Sequence, residues 1–99
     1  MREAIVDAKN KIVEQLNKLF YTERNVNLVL INDNYVFEGI VRQGLRDVLD
    51  YSDAKARDLM MTAHFYGSAI VWSGGKKTAE EYALRLRTQY GLTTEVVDV

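Results

Sequence analysis

The chain has 99 residues, a length that fits one compact domain, and 47% hydrophobic residues with 10% aromatics are enough for a single core. The formal net charge is −1, with acidic and basic side chains interleaved throughout, so no basic stripe offers itself to a phosphate backbone. Cysteine is absent and histidine occurs once, which excludes disulfides, thiolate catalysis and Cys- or His-rich metal sites.

From Arg2 to Phe20, the apolar residues Ile5, Ala8, Ile12, Leu16, Leu19 and Phe20 recur at spacings of three and four. That period predicts an N-terminal amphipathic helix, and the stretch reads as neither a signal nor a transit peptide. Tyr21 to Asn25 is a polar linker. Val26 to Ile31 turns almost wholly apolar at its end and is expected to form a strand buried on both faces. Asn32-Asp33-Asn34 stops it, because Asx side chains bond nearby backbone N–H groups and so favour turns.

A helix follows to about Asp50, with Phe37, Ile40, Val41, Leu45, Val48 and Leu49 on its inner face. Gly39 and Gly44 inside it imply close approach by another element. Ser52 and Asp53 cap a second helix with Ala56, Leu59, Met60 and Ala63 buried, and Gly67 ends it. Ser68 to Trp72 is a short strand, after which Gly74-Gly75 is expected to be a flexible turn. Thr78 opens a third helix through a capping box with Glu81. Its packing face is Ala79, Tyr82, Ala83, Leu86 and Tyr90, and Gly91 closes it. Glu95 to Val99 is the last strand.

After the N-terminal helix the order is β-α-α-β-α-β, predicting an α+β fold in which three helices cover one face of a three-stranded antiparallel sheet. Residues 1–25 form an extension and linker, and residues 26–99 a core domain. No apolar run approaches the ~18 residues of a membrane span, and a cytoplasm-like reducing compartment is the default.

Gly74-Gly75-Lys76-Lys77-Thr78 lacks the spacing of a phosphate-binding loop. His64 has no nucleophile or orienting partner near it in sequence, and no catalytic residue, cofactor or metal is expected. Two segments remain: Asn32-Asp33-Asn34-Tyr35 and Leu59-Met60-Met61-Thr62-Ala63-His64. Spacing alone reads the first as a strand-to-helix turn and the second as a core stripe with a surface histidine.

Together these segments resemble the hallmark pair of the ClpS family, adaptors of Clp ATP-dependent proteases that recognise N-degrons. Leu30-Ile31-Asn32-Asp33-Asn34-Tyr35 is similar to the family's strand and turn, and Leu59 to His64 with Gly67 and Ala69 to its second helix. Ala79-Glu80-Glu81 and Gly91 to Val96 resemble its C-terminal part, closest to the plastid and cyanobacterial branch. The resemblance implies that Asn32, Asp33, Asn34 and His64 hold a free α-amino group. A neighbouring cavity formed by Val36, Glu38, Val41, Met60, Ala63, Leu30 and Thr94 would take a first side chain of Leu, Phe, Tyr or Trp. It also implies docking on the N-terminal domain of a Clp AAA+ unfoldase of ClpA or ClpC type, in the cytoplasm or a plastid stroma. Asn34, Phe37, Glu38, Lys77 and Tyr82 depart from the residues that many bacterial members carry. Asn34 and Glu38, together with the N-terminal helix, motivate a second reading, a ClpS-like regulator that docks on the unfoldase without capturing N-degrons. A third is an interaction module similar to the C-terminal domain of the ribosomal stalk protein, which lacks the Asx turn and the histidine.

Overall fold

A computed structural model of the protein describes residues 24–99, so the predicted helix from Arg2 to Phe20 lies outside the described residues. The elements follow the expected order: β1 (Asn25–Ile31), α1 (Glu38–Leu49), α2 (Asp53–Tyr66), β2 (Ser68–Gly75), α3 (Lys76–Tyr90) and β3 (Thr93–Asp98). β1 is the central strand and pairs antiparallel with β2 on one side and β3 on the other. Among the described residues, no helix is long and apolar enough to cross a membrane.

The core sits between the sheet and the helices. Leu28, Leu30, Ala69 and Val71 from the strands meet Leu45, Val48, Leu49, Ala56, Ala63 and Leu86 from the helices in one cluster. Leu28, Leu45 and Leu86 are completely buried, each contributing about 1.5–3 kcal/mol of apolar transfer. The expectation that β1 is covered on both faces is corrected here. Val26, Leu28 and Leu30 are buried, whereas Asn27, Val29 and Ile31 between them are only partly covered. The described helices all lie on one side, so among the described residues the other face has cross-strand neighbours alone. Ile70, opposite Val29, is accordingly exposed, as an antiparallel sheet permits.

The register of β1 and β2 shifts between Leu28 and Val29, leaving Val71 as the additional residue of a bulge. Tyr51, in the connection between α1 and α2, donates its hydroxyl to the Val71 carbonyl at 2.5 Å. The bulge carbonyl is thereby satisfied from the helical layer.

Two expectations fail at the end of β2. Gly74 and Gly75 do not form a flexible turn: they continue the strand, opposite Val26 and Asn25. The Trp72 indole explains the glycine, since a Cβ on Gly74 would come within 2.4 Å of the ring. With Gly75 extended, α3 begins at Lys76, two residues before Thr78, and no side chain caps it. The Lys76 N–H instead donates to the Arg24 carbonyl at 3.1 Å, so the capping box with Glu81 has no role.

The other helix ends behave as local chemistry dictates. Ser52 accepts from the Lys55 N–H and opens α2, and left-handed Gly67 and Gly91 close α2 and α3. In α1 the buried residues are Gly44, Leu45, Val48 and Leu49, while Phe37 and Ile40 face solvent, against expectation. Gly44 meets the expected neighbour, because a Cβ there would stand 3.1 Å from Tyr90 and 3.2 Å from Leu92. Gly39 differs, since its neighbour is the Phe37 ring two residues back and not another element.

Candidate binding site at the strand–helix junction

The site forms where the end of β1 meets the end of α2. Ile31 and Ser68 are the last cross-strand pair, and one residue further on the Asn32 N–H donates to the Gly67 carbonyl at 2.9 Å. That bond fixes the Asx turn to the helix terminus, three residues beyond His64.

Within the turn, Asp33 Oδ1 accepts from the Tyr35 N–H at 2.8 Å, an Asx turn, and the Asp33 carbonyl accepts from the Val36 N–H at 3.3 Å. Asn32 Nδ2 donates to Asn34 Oδ1 at 3.4 Å, and Asn32 Oδ1 has no partner among the described residues. Thr93 of β3 donates to Asp33 Oδ2 across 3.5 Å. His64 is half exposed, packs edge-on against Phe65 and has Nδ1 3.8 Å from Glu38 Oε1. Asn32 and Asn34 therefore hold each other and Asp33 is held by the turn backbone and Thr93, while His64 and Glu38 approach from the two helices.

Between these groups lies a cavity of about 130 Å³. Asn32, Asp33, Asn34, Glu38, His64 and Thr93 form its polar side. Leu30, Ile31, Val36, Val41, Met60, Ala63 and Leu92 form its apolar side, of which Leu30, Met60, Ala63 and Leu92 are buried. The volume is close to that of the ~150 Å³ apolar cavity known to hold benzene. It therefore suits a ring or a branched aliphatic group.

Ten of the eleven residues expected in the site line this cavity; Thr94 does not. Thr94 pairs with Leu30 but turns toward α3, where it joins Ala83, Leu84 and Arg87 along a shallow depression. Leu92, two residues earlier, takes the position under the cavity. Ile31, Leu92 and Thr93 were not anticipated. A signal existed for Leu92: an apolar residue directly after a helix-closing glycine commonly packs back on the helix, and the Leu92 N–H donates to the Leu86 carbonyl.

The charges at the mouth are unbalanced. Asp33 and Glu38 both face it, while the nearest guanidinium groups on α1, those of Arg42 and Arg46, turn to Asp53 at 3.6 and 3.4 Å. Among the described residues, no three His, Cys, Asp or Glu side chains converge as a metal site. The arrangement can accept hydrogen bonds from a cation at its mouth while burying an apolar group attached to that cation.

Residues 21–95 match the family described as ATP-dependent Clp protease adaptor protein ClpS. The chain belongs to the ClpS family. A solved structure of ClpS2 from Agrobacterium tumefaciens bound to L-phenylalaninamide superposes with a TM-score of 0.74 at 27% identity, covering 78% of this chain and 99% of that one. No curated protein matches the chain. The ClpS resemblance read from the Asx turn and the second helix is thus established, together with the α+β fold it implied.

Proposed function

We propose that this chain is an N-degron adaptor. It holds the free α-amino group of a substrate with Asn32, Asp33, Asn34 and His64, and buries a first Leu, Phe, Tyr or Trp side chain against Val41, Met60 and Ala63. It then hands the substrate to a Clp AAA+ unfoldase of ClpA or ClpC type by docking on its N-terminal domain. Unfolding and cleavage belong to that partner.

The observation that carries this reading is the sharing of one cavity by hydrogen-bond acceptors and an apolar floor. An α-ammonium has three N–H donors and no acceptor, so selective capture needs acceptors converging from several directions. Asn32 supplies a carbonyl oxygen and neutral His64 a ring nitrogen, while Asp33 adds negative charge beside them. The flexible thioether of Met60 adapts to first side chains of different shape. L-phenylalaninamide, the ligand of the similar Agrobacterium protein, combines an α-amino group with a benzyl side chain.

The test is a titration of labelled peptides beginning with Leu, Phe, Tyr or Trp against N-acetylated and Gly-initiated versions. Binding in the micromolar range or tighter that acetylation removes is expected. Equal binding of free and blocked peptides overturns the proposal in favour of a regulator that docks on the unfoldase without reading N-termini.

A further inference from the structure

We infer that Glu38 belongs to the ammonium holder and not to the wall of the side-chain pocket. The inference rests on the reading of this site as an α-amino receptor. Three N–H donors must be met, and the turn supplies fewer free acceptors than its composition promises. Asp33 has committed one carboxylate oxygen to the Tyr35 N–H at 2.8 Å and faces the Thr93 hydroxyl with the other at 3.5 Å. The side-chain carbonyl of Asn34 already accepts from Asn32 at 3.4 Å. Asn32 Oδ1 and one nitrogen of His64 are left without partners among the described residues. Asp33 keeps spare lone pairs but is tied to the turn backbone and turned toward Thr93 of β3, so a receptor for three donors gains from a further acceptor across the mouth.

Glu38 supplies it. The Glu38 carboxylate lies across the mouth from the turn, 3.8 Å from His64 Nδ1, and makes no hydrogen bond among the described residues. Arg42, one helical turn on and the natural (i, i+4) partner, points its Nε at Asp53 instead. A cation seated between Asn32 and His64 therefore enters the field of Glu38 as well as that of Asp33. Both carboxylates then act at separations where Coulomb attraction is appreciable even under solvent screening. Because the ammonium is common to all substrates, Glu38 sets affinity for the charged terminus without discriminating among first side chains.

The experiment compares wild-type protein with Glu38→Gln and Glu38→Asp, using the same free peptides initiated by Leu, Phe and Trp at low and high salt. Glu38→Gln is expected to weaken all three by a common factor of about three to ten, and the factor shrinks as salt screens the charge. Glu38→Asp recovers most of the loss. Melting curves check that all variants fold alike, as substitution of a half-exposed side chain permits. Unchanged or tighter binding by Glu38→Gln overturns the inference, as does a loss confined to one first residue, which would make Glu38 part of the pocket wall. If wild-type protein binds no free N-terminus, this inference and the adaptor proposal both fall. If wild-type binds and Glu38→Gln matches it, only this inference falls.

Discussion

Ala63 is the position at which the cavity can be closed without touching a polar acceptor. It lies on α2 one residue before His64, is 3% exposed, and borders a cavity of about 130 Å³. Ala63→Leu extends three further carbons into that space. Each buried methylene gains roughly 0.8 kcal/mol, and crowding in a packed core costs about 1–3 kcal/mol. The two terms nearly cancel, so stability changes by no more than about 1 kcal/mol. Binding behaves differently. A first side chain shut out of the cavity forfeits the ~1.5–3 kcal/mol that burial of a Leu or Phe provides. That amounts to a dissociation constant raised about tenfold to 150-fold at 25 °C. Residual affinity for the free terminus persists, since Asn32, Asp33 and His64 are unchanged. Fluorescence anisotropy with a labelled Phe-initiated peptide reads the affinity, and thermal melting followed by circular dichroism reads the stability. Ala63→Leu protein that melts like wild type and binds within threefold of it would refute the assignment of the cavity to the first side chain.

His64→Phe should weaken peptide capture, because the acceptor nitrogen of the imidazole is lost while a ring stays. An anisotropy titration that matches wild type argues against a role for His64. Tyr51→Phe should cost about 1 kcal/mol, since the Val71 bulge carbonyl loses its donor; urea titration measures this, and an unchanged midpoint counts against the bulge argument. The Tyr51 phenol is raised above the ordinary 10.0 by burial and then by repulsion from Tyr82. Tyr90 is raised first by its hydrogen bond to Asp47. Both favour the neutral phenol in the folded state, so their contribution is intact below 10.0 and is lost as pH rises through the elevated folded values. The alkaline decline in urea stability should be shallower in Tyr51→Phe and Tyr90→Phe than in wild type. Gly91→Ala should destabilise by about 1–2 kcal/mol, because φ is +67° and no atom of the described residues crowds an added Cβ, making the cost one of backbone conformation.

What was legible in the sequence divides by the distance over which the cause acts. Ser52, Gly67 and Gly91 end or begin helices through bonds to residues three or four positions away, and they stand where local chemistry puts them. The inner stripe of α2 was equally plain, since Ala56, Met60 and Ala63 recur at helical spacing and all three are buried. Gly74-Gly75 looked like a turn because glycine pairs usually are one. Its extended conformation depends on Val26 and Asn25, almost fifty positions back, and on a tryptophan ring lying over the glycine. Thr94 and Leu92 share one strand parity, so alternation alone could not decide which of them lies under the cavity; the position of α3 decides it. The family resemblance located the polar residues but not the state of their lone pairs. Those follow from distances between side chains, and under the proposed reading they add Glu38 to Asp33 at the ammonium site. One backbone bond, Asn32 to Gly67, makes such a division of labour workable. It ties the turn to the end of α2, so that under the proposed reading acceptors from a loop and from a helix would meet a cation together without either having to reorganise.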